Sequence, residues 1–467
     1  MIEMKRSLWL PLVALLLAGC TVGPDYKRPA ATIPTDYRGA ASEQQPAPPA
    51  ASLAEQKWFE VFRDEELQSL IRTALQQNYD LRIAATRILQ AQAVLGITRA
   101  DQFPTVSAGA SISAERSPKS IILPPLEQST GLLNLSAAWQ LDFWGRYRRA
   151  TESARAALLA TEWARRGVLI SLVANVASAY FQLRALDLQL EVSRNALTAR
   201  RESLRLLNVL ADHGTITLLD VRQGEQLVYT ASEEIPDLER RIQQQENFIS
   251  TLLGNNPAPI KRGLPLTEQP HAPEVPAGLP SELLERRPDI RQSEAQLIAL
   301  NAQIGVARSA YYPQIALTGS GGFQSDALTR LFTGPAGVWS VGASLAQPIF
   351  TAGKIRSSVK LAEANRDEAV LAYQQTVQQA FRDVSDSLIA YRKNQEFRQQ
   401  QELLTNSAMD AARLSNIRYK GGVTSYLEVL TNETNFFAAE LNLAQAQANE
   451  LLALVQIYQA LGGGWQQ

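Results

Sequence analysis

The chain has 467 residues, with 45 lysines and arginines against 46 aspartates and glutamates, so no basic excess marks it for nucleic acid. Aromatics make up only 7% while Ala, Leu and Gln fill long stretches, a composition that suits long packed helices rather than a thick globular core. The single cysteine, Cys20, excludes an intrachain disulfide.

Residues 1–19 read as a processing signal. Lys5 and Arg6 form a charged start, Leu8 to Ala18 an apolar centre, and Leu17-Ala18-Gly19-Cys20 resembles the box cut by lipoprotein signal peptidase. Cys20 would become the mature N-terminus and carry a diacylglycerol, each acyl chain adding ~0.8 kcal/mol of membrane affinity per buried methylene. Thr21 follows where Asp would favour inner-membrane retention, which points to the outer membrane. Residues 20–56 are rich in Pro, Ala, Ser and Gln and read as an extended tether.

Residues 57–262 form the first of two copies. Val106, Ala108, Ala110 and Ile112 alternate with Thr105, Ser107, Ser111 and Ser113, which predicts a strand near 103–113. Leu133, Leu135, Ala137, Trp139 and Leu141 alternate with Asn134, Ser136, Gln140 and Asp142, a second strand near 132–143. Residues 146–213 then contain no proline and predict one helix of ~100 Å at 1.5 Å per residue. Leu183, Leu190, Leu197 and Leu204 recur every seventh residue along it, a coiled-coil seam. His213-Gly214 turns the chain into a return helix ending at Gly254, and Pro236 inside that helix predicts a kink.

A Pro-rich linker, residues 263–287, leads to the second copy, residues 288–467. Asp289 and Pro313 lie 209 residues after Asp80 and Pro104, while Arg392, Gly422, Glu428 and Gly462 lie 208 after Arg184, Gly214, Asp220 and Gly254. One duplicated unit explains this register. Strands are expected near 313–323 and 338–347, and residues 354–420 contain neither proline nor glycine, a second very long helix. Phe437, Leu441, Ala444, Ala448, Leu451, Val455 and Tyr458 step by four and three along its partner.

Each alternating segment is about 10 residues, the length of a tilted strand crossing an outer membrane, and Trp139 and Trp339 are candidates for its aromatic girdles. No helical segment beyond the leader is expected to meet the ~18-residue apolar requirement of a membrane span. The competing reading is a soluble sandwich with one wet face. Four strands cannot close a barrel, because single-chain membrane barrels start at about eight, so copies of the chain must assemble. Two copies give a filled interior and three a lumen, and the Thr, Ser, Asn and Gln of the inward face favour three. Residues 115–131 and 325–337 are the expected external loops.

No catalytic, cofactor or metal constellation emerges. His213 and His271 stand without nucleophile or ligand motifs, and Gly319-Ser320-Gly321-Gly322 lies in a predicted strand rather than before a helix.

Several of these features together resemble the outer-membrane efflux proteins, TolC-like channels of tripartite pumps and type I secretion, in particular their lipidated NodT-type branch. They are the lipobox followed by Gly23-Pro24-Asp25-Tyr26, the strand entries Phe103-Pro104 and Tyr312-Pro313, and two hairpin tips whose glycines, Gly214 and Gly422, each precede a carboxylate by six residues. The resemblance implies a mainly α fold with a membrane β-barrel: a homotrimer with a twelve-stranded barrel in outer-membrane lipid and a twelve-helix periplasmic α-barrel. It also implies a periplasmic adaptor and an inner-membrane pump as partners, and no enzyme activity. By the same resemblance, Asp220 and Tyr419 link closed hairpin tips, Glu428 and Leu427 line the constriction, and Gly214, Thr215, Gly421, Gly422 and Val423 meet the adaptor. Thr424 and Thr431 stand where the family pattern has a linking Arg and a second acidic ring. A lipidated periplasmic adaptor or coiled-coil structural protein is the alternative class, distinguished by having one hairpin and lipoyl-type segments.

Overall fold

A computed structural model describes residues 21–30, 33–35, 37–38, 58–116, 118, 127–269 and 280–463. The leader, Cys20, His271 and most of the tether lie outside them. In chain order the elements are α1 (Trp58–Val61), α2 (Glu65–Gln77), α3 (Tyr79–Ala100), β1 (Thr105–Arg116), β2 (Glu127–Leu141), α4 (Arg146–Asp212) and α5 (Leu218–Leu252). There follow α6 (Pro280–Arg286), α7 (Pro288–Ser309), β3 (Gln314–Ser325), β4 (Gly337–Ala346), α8 (Lys354–Lys420) and α9 (Tyr426–Ala460). The chain is mainly helical with one small antiparallel sheet of order β1-β2-β3-β4.

The residues divide into two compact units. Of the described residues, one unit holds those within 1–30, 87–162 and 292–374, and so the sheet; the other holds those within 31–86, 163–291 and 375–467. Each draws on both halves of the sequence.

In the sheet unit the register sorts residues by chemistry. Val106 faces Ala137, Ala108 faces Leu135, Leu133 faces Phe323, Trp139 faces Leu317 and Leu317 faces Ala343, so one face is apolar across all four strands. On the other, Ser107, Ser136, Ser320 and Ser340 form one row, with hydroxyl pairs Ser107–Ser136 and Ser320–Ser340 both at 2.8 Å. The apolar face is open: Val341 and Trp339 are each 81% exposed. Among the described residues no second sheet covers it, which removes the sandwich reading. The strands also run further than the alternation suggested. β1 reaches Arg116 and β2 starts at Glu127, which are ladder partners whose charges also meet at 3.3 Å, so the connection shrinks to residues 117–126. The β3–β4 connection is not featureless either, containing short 3-10 turns at Leu328–Arg330 and Gly334–Ala336.

In the helical unit the seams are core. Leu183, Leu197, Phe437, Ala444, Ala448, Leu451, Val455 and Tyr458 are all buried. Gly214, Gly254, Gly422 and Gly462 adopt φ of +69°, +76°, +70° and +76°. At each the amide of the next residue reaches a carbonyl five residues back, as Thr215 does to Leu210 and Val423 to Arg418, both at 3.0 Å. These are Schellman caps, which only glycine closes without a Cβ penalty. The return helix α5 runs through Pro236, as its expected end at Gly254 requires. Ala231 and Leu238 on either side are fully buried, and their packing holds the helix over the one missing backbone hydrogen bond. One expectation fails, since α4 contains a stretch long and apolar enough to cross a membrane; with 67% of it buried inside the chain it is a core helix.

Candidate functional site at the hairpin tips

The duplicated carboxylates Asp220 and Glu428 occupy equivalent positions in the first turns of α5 and α9, yet they do different work. Asp220 completes a capping box: its Oδ2 accepts from the Thr217 amide at 2.9 Å and the Thr217 hydroxyl at 2.8 Å, and its own amide returns to Thr217 Oγ1. A carboxylate there also favours the positive end of the helix dipole. Ser425, the corresponding cap of α9, makes no side-chain cap bond. Glu428 instead reaches back across the turn, pairing with Arg418 Nε at 3.0 Å and accepting from the Thr424 hydroxyl. The Thr424 hydrogen bond, then the Arg418 charge, hold the Glu428 carboxyl below its usual range, with desolvation opposing. It therefore stays ionised at neutral pH but compensated. Thr424 thus serves this carboxylate directly, and Thr431 bonds only the Leu427 carbonyl, at 2.9 Å.

Tyr419 sits beside these groups. Its ring packs edge-on against Tyr426 at 5.1 Å, within an apolar cluster of Leu207, Val221, Leu227, Tyr426 and Val429. Its hydroxyl is buried and has no hydrogen-bond partner among the described residues. Burial, then the nearby Asp220 charge, push the phenol pKa up, so the group remains a proton donor. The pair is close without a direct bond. Tyr419 and Tyr426 also line an 880 Å³ groove with Leu206, Val209, Leu210 and Ile216. Val423 and Leu427 are exposed at the tip, as are Gly214, Thr215, Gly421 and Gly422.

Two arginines were not singled out from the sequence. Arg418 has no counterpart in the first copy, where Leu210 stands, and a cation ten residues before Glu428 across a glycine turn was the available signal. Arg200 is buried on α4, donating to Leu227 O at 3.0 Å and Glu433 O at 3.1 Å and lying 4.6 Å from the centre of the Phe437 ring. It thereby joins the two hairpins. Burial pulls its pKa down and the Glu433 charge opposes this. Its acceptors are backbone carbonyls remote in sequence, so no local pattern announced it.

On the sheet, Trp139 lies opposite Leu317 and Trp339 opposite Gly321. Those levels differ by four residues, about 13 Å along a strand, roughly half the ~25 Å height of an outer-membrane apolar band. Among the described residues no group of three or more His, Cys, Asp or Glu side chains could hold a metal.

The chain is similar to known proteins along nearly its whole length. The profile described as "Outer membrane efflux protein" matches residues 70–255 and 279–463, one match per copy. The probable efflux pump outer membrane protein TtgC of Pseudomonas putida is 38% identical, over 99% of this chain and 96% of its own length. The solvent efflux pump outer membrane protein SrpC, also of Pseudomonas putida, is 39% identical over 98% of each chain. Among solved structures, the outer-membrane channel OprN superposes with TM-score 0.88 at 32% identity, covering 96% of this chain and all of that one. The open state of the Neisseria gonorrhoeae MtrE channel gives 0.87 at 31% identity, covering 96% and 99%.

Proposed function

Since the chain belongs to the outer membrane efflux protein family and is the outer-membrane channel component of a tripartite efflux pump, a passive conduit without catalysis, we propose that it works as a lipid-anchored homotrimer. The observation that carries this reading is the four-stranded sheet with one open apolar face, one hydroxyl-lined face and two unpaired edges, β1 and β4. An open edge in lipid leaves backbone groups unsatisfied at several kcal/mol each. Three copies give twelve strands, no edge and a wet lumen. The paired hairpins of three chains then supply twelve helices as a periplasmic tunnel.

The division into leader, tether, first copy, Pro-rich linker and second copy follows the duplication. Cys20 carries the lipid, one residue before Thr21, which rests against Gly145 directly after β2 and its following loop. Gly214, Thr215, Gly421, Gly422 and Val423 meet the periplasmic adaptor, through which an inner-membrane pump delivers cargo. Small organic molecules are the cargo class, in line with relatives named for solvent and antibiotic efflux. Full-length similarity to these efflux channels favours that role over a secretion duct. Of the two tryptophans, Trp139 is the better girdle residue, lying near the strand entries with its indole bonded to Gln102 O at 3.0 Å, while Trp339 faces the middle of the lipid band.

At the gate, the buried Tyr419 hydroxyl finds its acceptor on a neighbouring subunit when the tips close, Asp220 being the nearest class of acceptor. Leu427 and the Glu428–Arg418 pairs surround the aperture.

The test separates anchor from barrel. Cys20→Ser protein should lose its lipid, still fractionate with outer membranes and still give conductance steps in planar bilayers, because four strands per chain bury more apolar surface than one anchor. A wholly soluble, non-conducting product would exclude membrane-spanning strands.

A further inference from the structure

The duplication places Gly145 and Arg149 208 residues before Gly353 and Ser357, and Gly96 209 residues before Gly305. Where β2 and β3 lie side by side, α4 leaves one strand and α7 enters the other, and the segment 21–28 fills the notch between those two helices. A Cβ on Gly145 would meet Thr21 at 2.9 Å, and one on Gly305 would meet Val22 O at 2.6 Å and Arg149 Cγ at 2.8 Å. Polar hooks hold the segment down. Arg149 donates to Asp25 at 2.7 Å and to Gly23 O at 3.4 Å, and Asn301 donates to Pro24 O at 2.9 Å. Glu294 accepts from the Tyr26 hydroxyl at 3.1 Å and from Arg28 at 2.6 and 2.8 Å.

The equivalent notch in the duplicated frame lies between α8, leaving β4, and α3, entering β1, and those strands are the two free edges of the sheet. Here the glycines are open: a Cβ on Gly96 or on Gly353 would meet nothing within 4 Å. The hooks are not duplicated, since Ser357, Gln92 and Ala85 stand at the positions equivalent to Arg149, Asn301 and Glu294. The α3 surface around Gly96 is apolar and exposed at Leu89, Val94 and Ile97. A strap cannot be held there, and an apolar helix face needs another cover.

We infer that the second notch is closed directly by a second copy of this chain, the first turn of α8 in one subunit seating Ser357 on Gly96 of its neighbour's α3. The inference rests on the oligomeric reading above and adds that the ring has two kinds of strand junction. Three lie within subunits and are strapped by residues 21–28; three lie between subunits and are packed helix on helix.

The test is a cysteine pair, Gly96→Cys with Ser357→Cys, the counterpart of the Gly305–Arg149 contact. Oxidised in outer membranes, the double variant should give dimer and trimer bands on denaturing gels, lost on reduction and missing from either single variant. An assembled trimer by light scattering without interchain bands, or with the crosslink inside one chain, overturns the inference and leaves the trimer intact. A stable monomer overturns both. As a second measure, Gly96→Phe should lower the temperature at which the trimer dissociates although its own chain leaves the ring room, and unchanged dissociation counts against the seat.

Discussion

Gly322→Val is expected to abolish assembly. A Cβ at this position would lie 2.1 Å from the Leu133 carbonyl oxygen and 2.7 Å from Asn134 Cα, so the obstacle is backbone of the paired strand rather than a side chain that could swing away. Relief requires β2 and β3 to part around the Asn134–Gly322 pair, at the centre of the sheet. Each backbone group freed in a lipid setting costs several kcal/mol, and the change recurs in every subunit. The variant should show no heat-modifiable folded species on gels and should be cleared by periplasmic proteases. The neighbouring Gly321→Ala, whose Cβ would meet nothing within 4 Å, should assemble normally and serves as the control. Wild-type levels of folded Gly322→Val trimer would show that this sheet register is not the assembled one.

The second large effect concerns charge at the tips. If the hairpin tips of three subunits surround the aperture, the Arg418–Glu428 pairs add little net charge there and ion selectivity in planar bilayers should be weak. Arg418→Ala leaves three ionised carboxylates, because the Thr424 hydrogen bond still holds Glu428 below its usual pKa range. Cation preference should then rise about fivefold, the effect of one nearby unit charge in water. Glu428→Gln leaves three guanidinium groups and should shift preference toward anions by a similar factor. Both shifts should fade at 1 M salt, where the Debye length is ~3 Å. Tyr419→Phe provides the contrast, since it removes a hydroxyl with no partner among the described residues. It should leave selectivity alone and raise conductance by loosening closure. Unchanged selectivity in both charge variants would mean that Glu428 does not face the aperture.

Much of the architecture could be read directly from periodicity. Strands on two alternating faces, helices with sevenfold leucines and four glycine caps each leave a local signature, and residue spacing of 208 or 209 ties the copies together. What escaped detection depends on contacts remote in sequence. The extra length of β1 and β2 is carried by backbone pairing that runs on to Arg116 and Glu127, where charged residues alone suggested loop. The local partners of Asp220 and Glu428 also went unread: a capping threonine holds one and an arginine across the turn the other, although the two carboxylates occupy equivalent positions. Arg200, bound to carbonyls 27 and 233 positions away, had no pattern to betray it.

The central claim is that one chain supplies a third of a closed, membrane-spanning barrel. Light scattering of the mature protein extracted in mild detergent, with the detergent contribution subtracted, tests it most directly. The expected protein mass is three chains, unchanged on dilution. A stable monomer, or a dimer whose eight strands would leave no lumen, would contradict it.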